Sequence, residues 1–382
     1  MKQLRIGFLT SHDPMSRRAW SSTIYSNYTA VKKHWGSVTS LGPVSPSYET
    51  LGKTCNTFSR ALFHKKYNYQ HSIVESLHYG RIFHKKLTQE QFDCIVAPAA
   101  STEIACLKTT VPIIYVIDAT FSLLAGYYSC FSGLLSISIR EGNWIERAAL
   151  KKASIVLCAS QWARQSAIHS YSIDEAKVGV VPFGANIETV PTSEAIQTKK
   201  KSNRCRLLFL GVDWERKGGS IAFNTLRYLH EMGVPAELTV CGCIPPVEFV
   251  HKAMNIIPFL DKTSSIDLKK LYDLLFSTDF LLLPTRAEGF GIVFCEANAF
   301  GVPAITSDTG GISEVIIDGE NGFKLPLSAT GADYARLIWE IYSNDHRYYK
   351  LLQTSREAFE KKLNWDVWAK SARDFIKARL YI

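Results

Sequence analysis

Short apolar runs recur along the chain, each closed by polar or turn-forming residues and followed by a stretch with helical spacing. Leu4-Arg5-Ile6-Gly7-Phe8-Leu9 opens the series as a strand entered directly from Met1-Lys2-Gln3. A polar loop from Thr10 to Arg18 follows, and then helical periodicity from Trp20 to Lys33. Phe92–Ala97, Ile113–Ile117, Ile155–Ser160 and Val178–Phe183 read as further short strands, with a helix over Ile139–Ala153 between the second and third of these. Buried strands alternating with helices predict an α/β fold with a doubly wound parallel sheet. The polar segment from Ile187 to Asn203, with Lys199-Lys200-Lys201 in a row, reads as a linker. A second alternating series then runs through strands at Arg206–Gly211, Ala236–Gly242, Phe280–Pro284 and Ala304–Thr306. A chain of 382 residues fits two such domains of ordinary size.

Composition agrees with two full cores: 46% of residues are apolar. No apolar run is long enough to cross a bilayer, which makes a secreted or membrane-spanning protein an unattractive reading. The nine cysteines are scattered, without a CxxC pair or a disulfide-framework spacing, and fit a reduced, cytoplasmic protein. The net charge of +9 gathers partly between residues 60 and 86, where Arg60, Lys65, Lys66, Arg81, Lys85 and Lys86 alternate with Phe63, Tyr67, Tyr69, Tyr79 and Phe83. Such a stretch, read as helical, fits either a solvated face or docking on an anionic membrane surface; no nucleic-acid module accompanies it. His64, His71 and His78 recur at seven-residue spacing, about 10 Å apart on one helix, too far to share a metal ion. They read as surface or interface histidines, and no metal site is expected.

The most informative segment is Glu288-Gly-Phe-Gly-Ile-Val-Phe-Cys-Glu296. It follows the Phe280–Leu283 strand and Pro284, and leads into a helix that ends at Gly301. Gly289 and Gly291 permit close backbone approach. The helix start offers free N–H groups and a positive dipole end, a place suited to phosphate. The two carboxylates stand on the order of 10 Å apart, too far for one acid pair and suited to two ends of an extended ligand.

This segment resembles glycosyltransferase family 4, the retaining GT-B glycosyltransferases, whose signature is two glutamates separated by seven residues. Ala297–Ile305, Thr309–Glu314 and Asp318–Phe323 match the family in the same order. The resemblance implies two Rossmann-like doubly wound domains facing a central cleft: an acceptor-side domain over 1–188, a linker over 189–204, and a nucleotide-sugar-binding domain over 205–365. A C-terminal helix over 366–382 is expected to pack back on the first domain. It implies that Glu288 faces the donor sugar and leaving phosphate, that Glu296 accepts from the ribose hydroxyls, and that Lys217 and Arg216 hold the diphosphate. Gly289, Phe290, Gly291 and Ile292 would contribute backbone N–H groups, and Gly242 and Leu260 the base pocket.

The chain departs from the family pattern at three places. Val212 stands where many members carry an Arg. Trp20-Ser21-Ser22-Thr23-Ile24 replaces a Gly-Gly loop, leaving Ser22 and Thr23 as helix caps or hydroxyl donors. Asp118 replaces a His, and reads equally as a hydroxyl acceptor or a helix cap. The activity implied is retaining, metal-independent transfer from a UDP- or GDP-sugar, with no cofactor, to a lipid-linked, polysaccharide or other glycan acceptor. The location implied is the cytoplasm or the cytoplasmic membrane face. The alternatives are a catalytically degenerate subunit supporting an active transferase, and a nucleotide-sugar epimerase of the same fold.

Overall fold

The computed structural model describes residues 4–46 and 48–380. The lead-in Met1 to Gln3, Ser47, and the last two positions of the expected 366–382 helix lie outside the described residues. The chain divides into two compact units, one of residues 1–182 with 365–382 and one of residues 183–364.

The first unit is built on β1 (Leu4–Phe8), β2 (Gly36–Ser40), β3 (Cys94–Pro98), β4 (Ile113–Ile117), β5 (Ile155–Cys158) and β6 (Val178–Val180). They form one parallel sheet in the order β2-β1-β3-β4-β5-β6. β3, β4 and β5 are buried throughout, as continuous apolar runs require when helices cover both faces. The core joins Ile95, Ile113, Tyr115 and Val156 of the sheet to Phe83, Leu87 and Leu150 of the helices. The Trp365–Lys377 helix closes this unit against the Thr23–His34 helix. Trp368 stacks on Trp35 with ring centroids 5.8 Å apart, and the Trp35 indole N–H donates to the Ala369 carbonyl at 2.8 Å.

The second unit repeats the plan with β7 (Cys205–Leu210), β8 (Ala236–Cys241), β9 (Met254–Ile257), β10 (Phe280–Leu283), β11 (Ala304–Ser307) and β12 (Gly322–Leu325). Its parallel order is β12-β11-β10-β7-β8-β9. In both sheets the chain lays strands to one side of the first strand and then crosses to its other side. The resulting switch points, between β1 and β3 and between β7 and β10, are where open α/β sheets form crevices at their carboxyl ends.

Two segments differ from the sequence expectation. The 189–204 segment is packed on the second unit: Ser193–Gln197 is a short helix, and Lys199 is buried with its ammonium on the Thr278 carbonyl at 2.5 Å. Burial pushes the Lys199 pKa down to about 8. Lys201 donates to the Tyr342 carbonyl at 2.9 Å. Carbonyl acceptors and the Tyr342 and Tyr348 ring faces explain why Lys199 and Lys201 lie down here, while Lys200 between them stays exposed.

The basic 60–86 stretch is not one helix. A helix over Glu49–Phe63 stops at His64, whose φ of 53° is left-handed, and a second begins at Ile73 and runs to Leu87. The three histidines therefore share no face. His71 packs against the rings of Phe121 and Phe131, both at 5.5 Å, and burial holds its pKa down at about 4.

Candidate functional site

At the second switch point two loops interlock. The loop after β7 carries Trp214, Arg216, Lys217 and Gly218, and the loop after β10 carries Thr285, Ala287 and Glu288. Trp214 anchors the first loop by packing on Phe209 and Phe249. Gly218 has φ +78°, and a Cβ there would lie 1.9 Å from the Pro284 carbonyl oxygen, so only glycine permits the crossing. The Arg216 carbonyl accepts from Arg286 N at 2.7 Å, and its guanidinium donates back to the Ala287 carbonyl at 2.9 Å. These bonds tie the two loops together.

This frame places the Lys217 ammonium on Glu288 Oε2 as a largely buried ion pair. Arg216 Nη1 lies 3.7 Å from the same oxygen. Gly291, with φ +96°, turns the chain into the Ile292–Ala299 helix. Phe290 is buried against Phe183, which fixes the loop and leaves its backbone as the part that a ligand would meet. In the first turn Phe294 N donates to the Gly291 carbonyl at 3.0 Å, while the N–H groups of Ile292 and Val293 lack intrahelical acceptors by construction.

One turn on, Glu296 is 2% exposed and accepts from the Lys262 ammonium at 2.7 Å. Lys262 was not legible as a site residue: it lies 34 positions from Glu296, in a loop without motif or periodicity. Leu260 lies two residues before it, in the same loop after β9. Gly242, φ +105°, lets the end of β8 meet the end of β7, since a Cβ there would lie 2.9 Å from the Gly211 carbonyl oxygen. Glu288, Lys217, Arg216, Gly289 to Ile292, Glu296, Gly242 and Leu260 therefore all belong to the carboxyl-end loops and first helical turns of one sheet. Other motif residues are structural. Asn321 Nδ2 donates to Asn298 Oδ1 at 2.7 Å and to the Val315 carbonyl at 2.8 Å, locking the Asp318–Phe323 turn beneath the helix.

Asp118, Ser22 and Thr23 belong to the first unit. Asp118 directly follows β4, and the cap position of the short helix after it is held by Thr120, which makes no side-chain cap bond. Its segment is pinned from below by Glu146, which accepts from the Tyr115 hydroxyl at 3.1 Å and from Phe121 N at 3.3 Å. Burial raises the Glu146 pKa to about 7. Trp20, Ser21 and Ser22 hold φ values of 47°, 55° and 71° in succession, a left-handed turn of the kind glycine usually provides. Ser22 occupies the cap position of the Thr23–His34 helix without capping it. Its buried hydroxyl donates instead to the Arg17 carbonyl at 2.5 Å, the link that holds the left-handed turn closed. Thr23 is buried too.

Among the described residues no group of three or more His, Cys, Asp and Glu side chains is placed to hold a metal ion, and no helix is long and apolar enough to cross a membrane. Every cysteine is a free thiol, five of them buried.

The family model described as Glycosyltransferase Family 4 matches residues 49–189, and that described as Glycosyl transferases group 1 matches residues 192–361. The D-inositol 3-phosphate glycosyltransferase of Xylanimonas cellulosilytica is 24% identical over 256 residues, covering 61% of this chain and 59% of that protein. The chain thus spans about three fifths of the length of this curated relative. The sucrose-phosphate synthase of Thermosynechococcus elongatus superposes with a TM-score of 0.67 at 15% identity, over 99% of both chains. Anabaena HepE, solved in complex with UDP, superposes with a TM-score of 0.64 at 13% identity, over 99% of this chain and all of that one. These likenesses show the fold, which is GT-B. With two models matching successive parts that make up most of its length, the chain belongs to glycosyltransferase family 4.

Proposed function

We propose that this chain transfers a sugar, with retention, from a UDP- or GDP-sugar to a lipid-linked, polysaccharide or other glycan acceptor, without a metal ion. The observation that carries the reading is the pair of motif glutamates, each already held by an ammonium: Glu288 by Lys217, Glu296 by Lys262. When the C1–O bond breaks, the electron pair leaves on the diphosphate. Lys217, Arg216 and the N–H groups at the start of the 292–299 helix then supply fixed positive charge in place of a cation. In the free protein Glu288 keeps Lys217 in position. A diphosphate would take over the ammonium and release the carboxylate toward the hydroxyls of the donor sugar. Glu296, a buried two-oxygen acceptor, suits the vicinal hydroxyls of ribose. The leaving phosphate then takes the acceptor proton on the same face, as family membership suggests.

Arg216 is needed more here than in relatives, because Val212, 71% exposed, brings no charge to the position where many carry an Arg. That same departure is what favours the degenerate-subunit reading. Calorimetric titration with UDP, GDP and their sugars separates the two. Micromolar binding of one nucleotide that Glu296→Ala abolishes supports the transferase, whereas no binding by any of them favours the subunit.

The proposed acceptor and location include a membrane: the protein is cytoplasmic and docks on an anionic lipid surface. In the Ile73–Leu87 helix, Val74, Leu77, Arg81 and Lys85 are exposed at positions i, i+3, i+7 and i+11, two apolar residues followed by two cations on one face. Lys66, in contrast, is committed to the Ser129 carbonyl at 2.6 Å. Reversing Arg81 and Lys85 to Glu should release the protein from anionic vesicles at unchanged nucleotide affinity; retained vesicle binding would remove the docking surface.

A further inference from the structure

The Glu49–Phe63 helix is seated the wrong way round for a helix that ends at its own domain. Against the domain it places small and polar side chains. Gly52 touches the Tyr69 ring so closely that a Cβ would lie 2.4 Å from it. Asn56 Oδ1 accepts from Tyr67 N at 2.9 Å, and the Ser59 hydroxyl donates to the Lys65 carbonyl at 2.6 Å. Outward it presents Leu51, Phe58 and Leu62, 60%, 63% and 70% exposed, with Cys55, also exposed, between them. Tyr48 at the cap extends the row, 47% exposed.

These five positions are spaced three, four, three and four residues apart. At 100° per residue they fall within a stripe of about 80°, about 60° for the four helical positions alone, close to a coiled-coil seam and narrower than the face of a helix that lies in a bilayer. Thr54 and Ala61 border the seam on one side, Gly52 and Ser59 on the other. All are small and uncharged, so nothing holds a facing backbone away. Lys53 and Arg60 point about 180° from the seam, and Lys53 is paired with Glu49 at 2.7 Å.

We propose that this seam pairs with the same seam on a second copy of the chain, in an antiparallel two-fold arrangement. The row is nearly symmetric about Cys55, so such a pair sets Cys55 against its own counterpart, Leu51 against Phe58 and Tyr48 against Leu62. A two-fold axis makes the contact self-complementary and closed. Antiparallel packing separates the two basic ends, each carrying Arg60, His64 and Lys65, by about 20 Å, well beyond the screening length of about 8 Å. Parallel packing would stack the cations. The exposed apolar side chains amount to roughly 500 Å² per copy, or roughly 1,000 Å² in the pair, the size at which specific interfaces begin. The inference does not depend on the donor chemistry proposed above, because no donor-site residue lies on this helix.

Light scattering of the full-length protein across about 1 to 100 µM is expected to show a mass that rises from 42.9 kDa toward twice that value. Phe58→Asp combined with Leu62→Asp should leave a folded monomer, weakening association at least about a hundredfold. Mild oxidation should link two copies through Cys55. Cys55→Ser should abolish that link and Cys130→Ser, at the other exposed thiol, should not. A monomer throughout the range, a dimer indifferent to the double substitution, or cross-linking indifferent to Cys55→Ser would each overturn the proposal. So would a monomer that binds anionic vesicles through Phe58 and Leu62, which would give the seam to a bilayer.

Discussion

The two units share a topology and differ in how they keep charge at their switch points. In the second, between β7 and β10, the carboxylates of Glu288 and Glu296 are met by ammonium groups. In the first, between β1 and β3, buried Glu103 accepts instead from Ser11 N at 3.2 Å, and burial raises its pKa. Nearby Glu146 relies on a tyrosine hydroxyl and a backbone N–H. An ammonium partner can be reassigned to an incoming anion. Neutral hydrogen bonds leave a buried carboxyl close to taking a proton and suit hydroxyl partners. One fold thus carries an anion-exchanging crevice and a proton-retaining one, in keeping with the proposed donor and acceptor sides.

Protonation of Glu146 sharpens this contrast most. Its pKa moves from 4.5 to about 7 on folding, so between those values the native state holds a proton that the unfolded chain has lost. The stabilisation is fully present below about pH 4.5, drains away as pH rises toward 7, and amounts to about 3 kcal/mol. Urea unfolding across this range, compared with Glu146→Gln, should show the slope in the native protein and a flatter profile in the variant. Parallel profiles would mean that Glu146 is not a proton holder.

The ion-pair side is broken at Lys217. Lys217→Ala leaves Glu288 facing the diphosphate without its ammonium, and nucleotide affinity should fall about a hundredfold, about 2.7 kcal/mol. Calorimetry with UDP and GDP reads this directly, and a loss below about threefold would place the pair outside the donor site. Lys217→Arg should restore part of the affinity.

The smallest effect concerns the turns. The second unit uses Gly218 and Gly291 where φ is positive, and the first forces Trp20, Ser21 and Ser22 into the same region. Ser21→Gly should relieve strain and raise stability by about 1 kcal/mol, measured as a higher unfolding midpoint. An unchanged or lower midpoint would show that the surroundings already compensate the turn.

The sequence made the interior of both sheets legible and, apart from the largely buried edge strand β6, their margins not. β3, β4, β5, β10 and β11 are buried along their whole length, and β7 and β8 keep enough buried apolar positions between partly exposed ones to announce themselves as well. β2 reads Gly-Ser-Val-Thr-Ser, and β2, β9 and β12 are outer strands with one neighbour and partly exposed side chains. Their hydrophobic signal is diluted by the solvent they face. The glutamate motif was legible because its glycines, strand and helix are consecutive. Lys262 was not, because its pairing with Glu296 exists only once β9 and the loop after it are laid beside the 292–299 helix. The lysines of 199–201 misled because an ammonium seeking a carbonyl or a ring face looks the same in sequence as one seeking water.

The stack of Trp368 on Trp35 has a temporal consequence. Residues 365–377 leave the ribosome after all 182 residues of the second unit, 183–364. At about 5–20 residues per second the first unit therefore waits roughly 10–35 s with its Trp35 surface uncovered. During that interval the second unit can complete its own sheet. The order of synthesis and the order of completion are thus reversed, and a nascent chain stalled before residue 365 would carry a finished second unit and an unfinished first.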